Sequence, residues 1–146
     1  MADLKIVALA GGVGGAKLAD GLAQVLQPGG LTIIVNTADD FTCLGLKVSP
    51  DLDTVCYTLA GMANPDTGWG RVNETWNVLE TLKQMGMPVW FQIGDADLAT
   101  HLVRNVRYSE GWTLSQITRE FCKIWRVKTK VLPVSDDLIR TWVYTD

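Results

Sequence analysis

Apolar residues recur along this chain with two different periods, and the change from one to the other predicts its elements. Residues 4–10 form a short apolar run, interrupted only by Lys5, that breaks at Gly11, the pattern of a parallel strand buried on both faces. Ala19, Leu22, Ala23 and Leu26 then fall at i, i+3, i+4 and i+7, one stripe of a helix that Pro28-Gly29-Gly30 stops. A second, β-branched run over residues 31–35 ends in the polar stretch Asn36-Thr37-Ala38-Asp39-Asp40. Strand, glycine-rich turn, helix and strand in that order predict a βαβ unit with a right-handed crossover. Such a unit puts the glycines and the aspartates at one carboxyl edge of a parallel sheet, where ligands bind.

Further along, residues 41–48 read as a hairpin or an irregular loop, and Pro50 opens a helix expected to reach Met62. Residues 63–70 are turn chemistry throughout. Trp76, Leu79 and Leu82 at three-residue spacing predict a helix over residues 75–85 capped by Gly86, with Trp76 on its buried stripe. Residues 89–93 read as a strand ending at Gly94-Asp95, and residues 97–106 as a helix. Thr113 with Gln116 is a capping box opening a helix that turns Leu114, Ile117, Phe121 and Ile124 inward, with Trp125 also in the core. Residues 127–132 form the last predicted strand, running into Pro133-Val134-Ser135-Asp136-Asp137. Four strands would thus each end in a glycine-rich or acidic loop on the same edge. The expected fold class is α/β: a three-layer, Rossmann-like, mostly parallel sheet with helices on both faces. Residues 1–146 are expected to form a single nucleotide-binding domain.

Composition narrows the function. The 146 residues are 47% hydrophobic and 20% charged, and thirteen Lys+Arg against sixteen Asp+Glu give a net charge of -3. No basic footprint invites a nucleic-acid backbone or an anionic membrane, so neither is an expected partner. No apolar run approaches the roughly 20 residues of a membrane span, and no basic segment precedes the first one, so a cytoplasmic location is expected. Cys43, Cys56 and Cys122 lack CxxC spacing and are expected as free thiols rather than a disulfide or a zinc site.

Gly11, Gly12, Gly14 and Gly15 let main-chain N–H groups approach an anion at a helix N-terminus, or simply permit a tight strand-to-helix turn. A P-loop is excluded, because Ala16-Lys17-Leu18 lacks both the glycine before the lysine and the hydroxyl after it. The dinucleotide fingerprint begins at Gly12 and Gly14 but has Lys17 where a third small residue packs helix on strand. An NAD enzyme, with Asp39 or Asp40 on the ribose, is therefore an alternative. The aspartate pairs Asp39-Asp40 and Asp51-x-Asp53 suit a magnesium ion shared with substrate phosphates. Asp95-x-Asp97 and Asp136-Asp137 read more simply as helix N-termini or solvated turns. His101, the single histidine, reads as a surface or packing residue, and Trp69 offers a platform for a flat heteroaromatic ring.

Six ordered motifs carry a resemblance. They are Gly11-Gly12-Val13-Gly14-Gly15-Ala16-Lys17-Leu18, Asn36-Thr37-Ala38-Asp39-Asp40-Phe41, Ser49-Pro50-Asp51-Leu52-Asp53-Thr54, Gly68-Trp69-Gly70 with Glu74-Thr75-Trp76, Gly94-Asp95-x-Asp97-Leu98-Ala99-Thr100-His101, and Leu132-Pro133-Val134-Ser135-Asp136-Asp137. Together they resemble the 2-phospho-L-lactate transferase family of coenzyme F420 biosynthesis. The resemblance implies transfer of a phospholactyl or phosphoenolpyruvyl group from a guanosine diphosphate conjugate to the deazaflavin alcohol Fo, with magnesium and release of GMP. It implies that Gly11, Gly12, Gly14, Gly15 and Lys17 hold the nucleotide and that magnesium lies among Asp39, Asp40, Asp51 and Asp53. Asp51 and Asp53 would be catalytic, and Asp53 and Gln92 would meet Fo, although Gln92 stands where relatives often carry a basic residue. Family members are about twice this length, so the chain is expected to be the N-terminal half of the family domain, forming a homo-oligomer or associating with the other half. A sugar-nucleotide-binding regulator of the same fold is the remaining alternative.

Overall fold

The computed structural model describes residues 4–145. Strand β1 (Ile6–Ala10) pairs in parallel with β2 (Leu31–Val35), in a register running from Ile6 opposite Leu31 to Ala10 opposite Val35. The crossover between them is helix α1 (Val13–Val25), as the periodicity predicts. The last strand, β5 (Lys130–Pro133), adds in parallel on the other side of β2, giving the order β1-β2-β5. Between β2 and β5 come a short antiparallel hairpin, β3 (Phe41–Cys43) and β4 (Leu46–Val48), and helices α2 (Pro50–Leu59), α3 (Asn77–Gln84), α4 (Asp95–Ser109) and α5 (Leu114–Ile124). The α/β class and the parallel sheet are as expected.

The core lies on one face of the sheet. Leu31, Ile33 and Val35 of β2 and Val131 of β5 are buried with Ala16 and Ala19 of α1, Leu52, Val55 and Cys56 of α2, and Leu114 and Cys122 of α5. Side chains alternate across a strand, so the intervening residues face the other way. There Val7 is 64% exposed and Leu9 76%. Of the three layers expected, two are present among the described residues. Since β1 is also an edge strand, this apolar face should drive self-association. Leu9→Lys is expected to shift sedimentation of the chain toward monomer; unchanged association would place the contact elsewhere.

Residues 89–93 are not a strand: no ladder includes them. Their apolar character serves packing instead, with Ile93 buried beside Cys43 and Val48 and the Phe91 ring edge-on to Phe41 at 4.9 Å. Three of the four expected strands therefore meet at the sheet edge. Helix α2 ends three residues before Met62, and α3 begins after Trp76, which at 38% exposure lies outside the core. The capping box of α5 is present, with Gln116 N–H donating to Thr113 Oγ1, but Ile124 points outward. Cys43, Cys56 and Cys122 are free and buried, and the last two place their sulfurs 3.9 Å apart. No helix among the described residues is long and apolar enough to cross a membrane.

Candidate active site

The carboxyl edge of β1 and β2 gathers most of the residues that sequence spacing singles out. Helix α1 begins at Val13, so only Gly11 and Gly12 form the turn, and Gly14 and Gly15 lie in the first helical turn. Gly15 has a packing role: a Cβ there would stand 2.9 Å from Ala10 Cα, so α1 crosses the end of β1 only because the side chain is absent. The helix–strand contact that the dinucleotide fingerprint assigns to its third glycine thus falls on Gly15, which frees Lys17 to be exposed on the next turn. No side chain caps α1. Ala16 N–H bonds back to Gly12 O at 2.9 Å, which leaves the amides of Val13, Gly14 and Gly15 directed at the edge.

Helix α2 brings its own N-terminus to the same place. Pro50 fits its first turn, where no N–H is needed, and Asp51 projects against the glycine turn, its Oδ1 3.0 Å from where a Gly12 Cβ would be. The Asn36 side-chain amide donates both to Asp39 Oδ2 at 2.9 Å and to Asp51 Oδ2 at 3.0 Å. Two carboxylates from different elements are thereby held side by side at the convergence of two helix N-termini. Asp40 turns the other way and accepts from Ser49 Oγ at 2.6 Å. Burial pushes its carboxyl up to about 6, against the pull of that hydrogen bond.

Asp53 belongs to neither group. One turn deeper in α2 and 6% exposed, it pairs through Oδ1 with the guanidinium of Arg104 from α4, itself 2% exposed. Burial raises the Asp53 carboxyl above its ordinary value, opposed by Arg104. Desolvation pulls the guanidinium down, and Asp53 outweighs it. Arg104 Nη1 also lies 3.0 Å from His101 Nδ1. His101 Nε2 is 3.5 Å from Asp97 Oδ2, and Asp97 Oδ1 accepts from the Tyr57 hydroxyl at 2.6 Å. Burial would raise Asp97, but its contacts with His101 and Tyr57 hold it below its ordinary value. The four aspartates expected at magnesium are thus divided among three settings. Among the described residues, Asp53, Asp97 and His101 are the group whose potential ligand atoms all lie within 4.8 Å of one another.

A cleft of about 160 Å³ opens over this network, lined by Asp53, Tyr57, Trp69, Phe91, Asp97 and His101 among others. Trp69, Gly70 and Asp97 also border a second cleft that includes Gln92 and Trp76. Trp69 is thus placed to present an aromatic face to either, and the turn holding it is tight: a Cβ on Gly68 would meet Val13 Cγ1 at 2.7 Å. Sequence reasoning missed Arg104, Tyr57 and the burial of His101. A charged residue on a helical pattern reads as surface, and the only signal was the i, i+3, i+4, i+7 spacing of Asp97, Thr100, His101 and Arg104 along one face of α4.

The remaining acids are structural. Glu74 accepts from Ala96 N and Asp97 N, both at 2.8 Å, and so caps α4 from outside it. Asp95 returns the favour across the gap, accepting from Thr75 Oγ1, Asn77 N, Asn77 Nδ2 and Val78 N at the start of α3. Asp136 Oδ1 accepts from Ser115 N at the start of α5. The donors around Asp95, Thr75 first, hold its carboxyl at about 2 against an ordinary 3.8. Its contribution to stability is therefore complete above the ordinary value and lost as pH falls through about 2. Asp95→Asn should lower the melting temperature at pH 7 and make no difference below pH 2; an equal loss at both would mean that shape, not charge, matters there.

Residues 6–146 match the family described as 2-phospho-L-lactate transferase CofD. A protein named phosphoenolpyruvate transferase from Kitasatospora aureofaciens is 48% identical over 142 residues, which is 96% of this chain and 44% of the relative. One of the same name from Thermobifida fusca is 46% identical over 149 residues, 96% of this chain and 46% of the relative. The chain spans less than half the length of these curated relatives. A crystal structure of a member of the UPF0052 family from Bacillus halodurans shares the fold, with a TM-score of 0.57 at 21% identity, covering 93% of this chain and 41% of that one.

Proposed function

Because this chain belongs to the 2-phospho-L-lactate transferase family, we propose that it forms the nucleotide- and acceptor-binding part of a transferase acting in coenzyme F420 biosynthesis. The enzyme moves a phosphorylated three-carbon acid from a guanosine diphosphate conjugate to a hydroxyl of the deazaflavin Fo and releases GMP. The relatives' name favours enolpyruvate over lactate as the acid carried. The observation that carries the reading is the Asn36 bridge between Asp39 and Asp51, set against the glycine turn and the start of α1.

An anionic diphosphate suits the free amides of α1, yet two carboxylates share that edge, so a cation between them balances the charge. Magnesium fits these residues: Asp39 and Asp51 converge beside a hollow that a Gly12 side chain would fill, and their oxygens are the hard donors it takes. When bound, the ion neutralises charge on the diphosphate. Asp53 suits it less, since Arg104 already supplies the counter-charge. The amides of Val13, Gly14 and Gly15 and the Lys17 ammonium would hold and orient the phosphates. Trp69, with Gln92 beyond it, would stack the deazaflavin rings, leaving the ribityl chain to descend toward Asp53. There the unpartnered Asp53 Oδ2 accepts the proton of the attacking hydroxyl.

The test is a transfer assay on the full-length protein containing this segment, supplied with enolpyruvyl diphosphoguanosine, Fo and magnesium. The expected products are GMP and Fo enlarged by an enolpyruvyl phosphate group. Hydride transfer from NADH in place of this reaction would favour the dinucleotide alternative, and neither reaction would favour the regulator.

A further inference from the structure

Two buried polar atoms of residues that line the cleft over α2 and α4 have no partner: Asp53 Oδ2 and His101 Nε2, on side chains more than nine-tenths buried. Leaving such atoms unpaired is unfavourable, because each has given up water without gaining a partner. What each can offer follows from its neighbours. A guanidinium can only donate, so the 3.0 Å contact from Arg104 Nη1 requires a lone pair on His101 Nδ1. The ring proton is then on Nε2. Asp97 Oδ2, 3.5 Å away, is beyond the ordinary N–H···O range, and Asp97 is already engaged by Tyr57. Around the ring, the charged or titratable groups are Asp53 from α2, Asp97 and Arg104 from α4, and Tyr57, whose hydroxyl burial keeps protonated.

Asp53 Oδ2 lies 3.8 Å from the ring at Nδ1, Asp53, Asp97 and His101 each offer one ligand atom within 4.8 Å of the others, and all three residues line the same cleft. The same spacing suits a metal, but the nitrogen lone pair that a metal needs is taken by Arg104 and the other nitrogen bears the proton. A guest that both donates and accepts through one atom is a hydroxyl. We propose that His101 recognises the acceptor alcohol: its Nε2–H and Asp53 Oδ2 together hold one hydroxyl, and Arg104 fixes the ring in the tautomer that allows it. His101 is here a positioning residue of the acceptor site. The cleft, at about 160 Å³, has room for the end of a polyol chain. The identity of that alcohol as the ribityl end of Fo rests on the transferase reading; the tautomer and the hydroxyl preference do not.

Because His101 is the single histidine, nitrogen-15 spectra of the imidazole in the 146-residue chain read the tautomer directly. A protonated Nε2 and a bare Nδ1 are expected, with the Nε2–H signal moving on titration with Fo and with ribitol. Fo should bind at least about tenfold more tightly than its analogue lacking the terminal hydroxyl, the scale of one buried hydrogen bond. His101→Asn keeps an acceptor for Arg104 but removes the Nε2 donor and should bring that ratio close to one, whereas His101→Gln, with an amide N–H near the Nε2 position, should restore part of it. A proton on Nδ1, a ratio unchanged in His101→Asn, or an Nε2–H signal unmoved by both ligands would overturn the proposal. Movement with ribitol but not with Fo would instead remove the transferase reading and leave the hydroxyl site standing.

Discussion

Replacing Arg104 with methionine should cost about 3–5 kcal/mol of folding stability, a large share of what a domain this size possesses. The cost comes less from the lost ion pair than from what stays behind, a largely buried carboxylate with no counter-charge. Urea unfolding of Arg104→Met measures it. Adding Asp53→Leu in the same chain should recover most of the loss, because an apolar pair of similar volume often does as well as a buried ion pair. A loss below about 1 kcal/mol in the single variant would mean that water reaches the pair, as it does for exposed salt bridges.

Asp53→Asn in the full-length protein should lower kcat by about a hundredfold or more, the effect of removing one positioned proton acceptor. The Michaelis constant for the guanosine donor should hardly change, since the glycine turn, Asp39 and Asp51, not Asp53, would hold the nucleotide. Stability should fall as well. From sequence alone this substitution reads as structurally silent, because asparagine is a good cap at the start of a helix. Ser49 is the cap residue, however, and Asp53 lies inside α2 with Arg104 depending on it. Turnover must therefore be measured well below the melting temperature of the variant. A matching loss of folding and activity, with no fall in kcat for the folded fraction, would remove Asp53 from the chemistry.

What sequence discloses here is the part governed by local rules. The β1–α1–β2 unit follows from two apolar runs and one helical stripe, and the α5 capping box from a Thr-x-x-Gln spacing. The nearness of Asp39 to the glycine turn follows from parallel topology. Long-range partnerships are hidden. Glu74 and Asp95 cap each other's helices across about twenty residues of chain, and nothing in either neighbourhood says that a helix elsewhere needs an acceptor. Arg104 and His101 lie on a helix whose polar residues would ordinarily face water; their burial depends on Asp53, fifty residues away. Residues 89–93 mislead for the converse reason. Their aromatic content matches that of a strand, but it is satisfied by packing on the β3–β4 hairpin without a hydrogen-bonded ladder.

The central claim is that the glycine turn, Asp39 and Asp51 form a guanosine diphosphate site that needs magnesium. Calorimetric titration of GDP into the chain, with and without magnesium, tests it most directly, with NAD and ATP as competitors and Asp39→Asn/Asp51→Asn as the variant. The account predicts GDP binding that depends on magnesium and is lost in the double variant, with a thermal stabilisation of about 2.7 kcal/mol at a hundredfold excess over Kd. Tighter binding of NAD, or GDP binding that survives both the removal of magnesium and the loss of the two carboxylates, would contradict it.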